Sequence, residues 1–171
     1  MGDQTAIDIA SVVLRASVGF TILAHGYNHV WGGGKLAGTA RWFGSIGFRH
    51  SQFQALMASV TELAAGPMLL LGLLTPLAAA AVVGVMLVAF IANHLKNGFF
   101  IFRPGEGYEY VLTLTCVSVA LGALGGGRAS LDYAIGFDVD GWGGAIAALG
   151  LGALGAAAIL GTSWRPERTK V

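Results

Sequence analysis

Charge is what this chain has least of: 11% of its 171 residues are Asp, Glu, Lys or Arg, against 55% that are hydrophobic. Soluble domains carry about 25% charged residues, so a soluble protein this poor in charge could not cover its surface. A bilayer removes that requirement, because lipid solvates the outside of the fold. Cysteine is nearly missing too. Cys116 stands alone, which excludes an intramolecular disulfide, a C-x-x-C redox pair and a cysteine metal cage. Its apolar surroundings suit a small, buried, inert filler. The N-terminus has Asp3 and no Lys or Arg before Arg15. It therefore lacks the basic start of a cleaved signal peptide, and the first apolar segment is expected to stay as a membrane helix. A net charge of +1 without a clustered basic patch speaks against nucleic-acid binding.

What is present is apolar sequence in long runs. A spanning helix needs roughly 20 mostly apolar residues. Five segments approach or meet that length: about 6–30, 53–74, 77–95, 108–124 and 142–161. The expected fold is therefore all-α, a polytopic transmembrane helix bundle. Gly66-Pro67 is a candidate kink in the second segment, and Thr75-Pro76 a tight connection to the third. Trp142 and Trp164 bracket the fifth segment, as interface anchors do. The stretch 31–52 mixes glycine with Trp42, Phe43, Ile46 and Phe48. It suits either a segment lying among headgroups or a loop packed over the bundle.

Flanking Lys and Arg set orientation. With five spans, Lys35, Arg41, Arg49, Lys96, Arg103, Arg165, Arg168 and Lys170 fall on one side, and Arg128 on the other. This predicts an outside N-terminus and a cytoplasmic C-terminus in a bacterial plasma membrane.

Ionisable residues inside a membrane cost about 2.5–3.5 kcal/mol each on insertion scales and need a partner or a purpose. The five-span arrangement places His25, His29, Glu62, His94 and Glu109 in one leaflet, with Asn93 and Tyr108 nearby. His25 and His29, four apart, share a helix face. Three readings stay open. The cluster is an internal polar network fixing helix register, a small-ligand pocket suited to a quinone head, or a metal site. Imidazole and carboxylate suit quinone chemistry because quinone reduction takes up protons. The metal reading lacks an H-E-x-x-H or Glu-x-x-His pair. Arg15 lies mid-helix, seven residues from Asp8. Internal pairing is expected there, with Asp8 or with a carboxylate of another helix. Gly144, Ala148, Gly152 and Ala156 form a ridge of small residues at four-residue spacing. Such a ridge suits close packing within the chain or against a second copy.

These stretches resemble the DoxX family of small bacterial membrane proteins. The resemblance is carried by His25-Gly26 with Lys35, and by Glu62-Leu63 leading to Leu70-Leu71-Gly72-Leu73-Leu74-Thr75. It continues in His94-Leu95-Lys96-Asn97-Gly98-Phe99-Phe100, Gly107-Tyr108-Glu109-Tyr110 and Gly127-Arg128-Ala129-Ser130-Leu131-Asp132. Together they cover about residues 10 to 133. The resemblance implies a four-helix membrane core over 1–133, with 134–171 as an extension holding the fifth helix (142–161) and a basic tail. It also implies association with membrane redox systems, in some members through quinone.

Three functions compete on this reading. The first is an integral membrane component of a redox system, quinone-linked or bound to oxidoreductase partners. The second is a non-catalytic scaffold docking soluble enzymes through 31–52 and 96–107. The third is a small-solute or proton transporter, for which no internal repeat speaks. The glycine runs at 32–34 and 125–127 lack the strand–turn–helix setting of a flavin or nucleotide site. The chain is therefore not expected to be a stand-alone catalyst.

Overall fold

The computed structural model describes residues 4–137 and 139–166. Asp3, Arg168 and Lys170, on which parts of the sequence reading rest, lie outside the described residues. The described residues are mostly helical: α1 (Gln4–Trp31), α2 (Lys35–Ser45), α3 (Ser51–Leu71), α4 (Thr75–Ala89), α5 (Glu109–Leu124), α6 (Leu131–Ile135) and α7 (Gly141–Ser163). α4 runs on through a π turn (Phe90–His94) and a 3-10 turn (Leu95–Asn97). Among the described residues, four rods are long and apolar enough to cross a membrane: α1, α3, Thr75–Asn97 and α7. α5 is a shorter apolar helix of 16 residues, about 24 Å long. The protein is a multi-pass helical membrane bundle.

Backbone conformation corrects several details of the sequence reading. The hairpin between α3 and α4 turns at Gly72–Leu74, and Thr75-Pro76 belongs to the first turn of α4. Proline is favoured there because that turn needs no N–H from it. Pro67 sits inside an unbroken α3. The stretch after α1 forms α2, which packs on α3, and the glycine-led outer loop contains α6. Cys116 is exposed on α5 rather than buried.

α4 is the hub, with α3, α5 and α7 around it, while α1 packs on α3. Ala79, Val82, Val83, Leu69 and Leu121 are fully buried in this core. The small-residue ridge of α7 faces inward. Ala148 is fully buried, and a Cβ on Gly152 would lie 2.6 Å from Val83 Cγ1. A Cβ on Gly144 would run into the Gly122 carbonyl of α5. The ridge therefore seats α7 on α4 and α5 within the chain.

The ends of the bundle differ. At the basic end, α7 is tied to the turn after α2. Arg49 N–H donates to the Ser163 carbonyl, Arg165 N–H to the Gly47 carbonyl, and Trp164 Nε1 to the Ile46 carbonyl. At the far end, Asp132 reaches from α6 to the start of α4. Its carboxylate accepts from Leu74 N–H (2.6 Å), Thr75 N–H (2.8 Å) and the Thr75 hydroxyl (2.6 Å). A carboxylate at a helix N-terminus meets unpaired N–H groups and the positive end of the dipole.

Arg15 complements it. The Arg15 guanidinium donates to the Ala129 carbonyl (2.7 Å) and approaches the Leu69 carbonyl (3.5 Å) at the end of α3. It is 2% exposed and lies within electrostatic reach of Asp132. The partner expected for it in Asp8 is taken elsewhere. Asp8 binds Arg128 through both its backbone N–H (3.1 Å) and its Nε (2.5 Å). Both side chains reach the loop between α5 and α6, Asp8 at Arg128 and Arg15 at the Ala129 carbonyl, and Arg15 also turns toward α3.

Candidate functional site

His25, His29, Glu62, His94 and Glu109 gather toward the basic end, where α4 is walled by α3 on one side and α7 on the other. Between those two helices, over the face of α4, runs a cleft of about 430 Å³. That volume falls within the roughly 300–1,000 Å³ of small-molecule pockets. Its long wall is apolar: Ala80, Ala81, Gly84 and Val88 of α4, with Ala58 of α3 and Leu151 of α7. It stretches from Leu77 to His94, about 25 Å of helix. Met57, Leu77 and Leu151 line it and are 41–49% exposed on the flank of the bundle.

The polar groups meet at the basic end of this trough. Glu62 is 2% exposed, and its Oε2 lies 3.0 Å from His29 Nδ1. Both atoms are buried, and neither makes a well-directed hydrogen bond. The pair forms because α1 and α3 nearly touch: a Cβ on Gly26 would lie 2.9 Å from Glu62 Cβ. The His29 ring also stands edge-on to Phe43 of α2, with centroids 6.3 Å apart.

His94 closes the cleft from α4. It is 3% exposed and fully engaged. Its Nδ1 lies 2.9 Å from the Glu106 carbonyl and its Nε2 2.8 Å from the Tyr110 hydroxyl. A carbonyl can only accept, so Nδ1 carries the hydrogen, and in a neutral ring Nε2 accepts from Tyr110. The loop that supplies the Glu106 carbonyl is pinned by Asn97, whose amide donates to Gly105 and Glu106. Glu106 itself adopts a left-handed backbone (φ 63°). His94 is the last residue of the π turn, a local widening that often marks functional positions.

His25, His29, Glu62 and His94 thus border one cleft, with Asn93 beside them. His25 is the most exposed of the four, at the cleft edge. Glu109 does not border it. Glu109 opens α5 half-buried, with its N–H on the Phe99 carbonyl. Tyr108 packs its ring on Phe90 and Phe99, and Arg15 lies at the opposite end of the bundle. Tyr110 takes the place given to Glu109, and Gln54 also lines the cleft, bonded to Ser163 (2.9 Å). Among the described residues, no group of three or more His, Cys, Asp or Glu side chains is placed to hold a metal ion.

A sequence profile of the DoxX family matches residues 10–95, from the second turn of the first helix to just past His94. The chain belongs to the DoxX family. Nothing among curated proteins or solved structures matches it. The DoxX match takes in α1, α3 and α4, and so His25, His29, Glu62 and His94. It stops short of Tyr110, of the Gly127–Asp132 stretch and of α7.

Proposed function

We propose that this DoxX protein is the membrane component of a redox system and that its cleft holds an isoprenoid quinone. The supporting observation is the shape of the cleft: a long apolar trough with one polar end. That division matches an amphiphile with a prenyl tail and a dicarbonyl head. At the polar end stands a donor that a carbonyl oxygen requires, the Asn93 amide, with the imidazoles of His25 and His29 and the Glu62 carboxyl beside it. A quinone supplies redox chemistry when bound. The residues of this chain orient its head and hold protons beside it. Electrons come from a partner, since the chain has no flavin or nucleotide fingerprint.

The basic end is the cytoplasmic end of a bacterial plasma membrane on this proposal. Lys35, Arg41, Arg49, Lys96, Arg103 and Arg165 cluster there, against Arg128 at the far end. Such an arrangement presents the polar end of the cleft to cytoplasmic partners.

Purified protein in lipid nanodiscs tests the reading by direct titration with menaquinone and ubiquinone. At least one should bind. Asn93→Ala, which removes the amide donor at the polar end, should weaken that binding about tenfold, the order of one lost hydrogen bond. Failure of both quinones to bind would overturn it.

A further inference from the structure

His29 borders two separate hollows. One is the membrane cleft, where its Nδ1 faces Glu62. The other is a hollow of about 400 Å³ at the basic end, formed by Asn28, the Gly33-Gly34-Lys35 turn, Gly38, Thr39 and Trp42. Glu62 borders the cleft alone. The imidazole therefore stands as a partition between a buried carboxyl and the aqueous phase at the basic end. Its contact with Glu62 is short but poorly directed, so no fixed hydrogen bond locks the proton on either group.

We infer that His29 is the proton link between that aqueous phase and Glu62, making the pair a proton-exchange site for whatever polar head lies in the cleft. The inference rests on reading the cleft as a ligand site. The step balances within the pair. A hydronium ion at the basic end gives one proton to Nε2 and leaves as water, the Nδ1–H bond breaks, and that second proton passes to the Glu62 carboxylate as a new O–H bond. The ring is left neutral with its hydrogen on Nε2, and reversal or a ring flip resets it. Neutral imidazole is suited to this because one nitrogen accepts while the other donates. The titratable and charged groups facing the pair are His25 from α1, Lys35 from α2, His94 from the end of α4 and Tyr110 from α5. Tyr110 lies within electrostatic reach of Glu62, so a proton arriving there is felt at the His94–Tyr110 hydrogen bond.

Infrared spectroscopy of the protein in nanodiscs tests this. The carboxyl C=O band of protonated Glu62 is identified by its loss in Glu62→Gln, and its hydrogen–deuterium exchange is timed across about pH 5 to 9. His29→Phe should slow the exchange about a hundredfold or more, the order supplied by a positioned proton-transfer group. Because His29→Phe could disturb folding, Gly33→Phe provides a second route. A Cβ there meets nothing within 4 Å, so the ring can enter the outer hollow and cover the face of His29 that borders it, leaving Glu62 in the cleft unchanged. Slower exchange in Gly33→Phe supports the link. Unchanged exchange in a folded His29→Phe protein, or in Gly33→Phe, overturns it, as does the absence of any Glu62 band over that pH range. Quinone titration of the same samples separates the two readings. Exchange that depends on His29 in a protein that binds no quinone overturns the function proposed above and leaves the proton link standing.

Discussion

Gly26 sits where α1 crosses α3, and the space it leaves brings His29 within 3.0 Å of Glu62. Any side chain there would meet Glu62 Cβ at 2.9 Å and the Leu63 backbone at 3.0 Å. Gly26→Val should push the helices apart, at a cost of about 1–3 kcal/mol from overpacking. Thermal unfolding in detergent should show the loss. In that background, Glu62→Gln should cost little more, because the His29 contact is already broken; a full additional loss would show that the pair survives. The sequence displayed His25-Gly26 as a unit but not which residue mattered to packing. It also favoured Glu109, an ionisable group at the right depth, over Tyr110. Adjacent helical residues point about 100° apart, so depth alone cannot say which of two neighbours faces the cleft.

Among the elements, the α3–α4 hairpin depends on two charges brought from elsewhere. Arg15 joins the Ala129 carbonyl to the Leu69 carbonyl near the end of α3, and Asp132 covers the N–H groups opening α4. Gly72 makes the turn possible. Its backbone is left-handed (φ 63°), and a Cβ there would strike the Arg15 guanidinium. Asp132→Ala strips partners from two backbone N–H groups and a hydroxyl, which should destabilise the protein by about 3 kcal/mol. A lowered thermal midpoint with unchanged quinone affinity would place this clamp outside the binding site; an equal fall in affinity would show that the two ends are coupled. None of these contacts could be read from sequence. Asp132 and Thr75 are 57 residues apart, and Asp8 and Arg128 are 120 apart. The short helices α2 and α6 were hidden too, since glycine flanks both and neither has a span-length apolar run.

At the scale of the whole molecule, the long apolar runs carried the fold. A span must satisfy its backbone internally, so hydrophobic length alone identifies helices. Segment 108–124 differs from α5 by one residue, and 142–161 from α7 by one at its start and two at its end. The α7 ridge was visible as spacing, but which helix it would meet depended on packing around α4. With the basic end inside, a C-terminal reporter that matures only in the cytoplasm should be active, and one that requires export should be silent; the reverse result would invert the bundle. The cleft has a consequence of its own. Its flank, where Met57, Leu77 and Leu151 are exposed, lies between two spanning helices and faces the acyl chains. A guest can therefore arrive sideways, without passing through water. Occupancy would then follow the guest's mole fraction among the lipids rather than its dissolved concentration. Diluting the lipid, not the buffer, is what would empty the site.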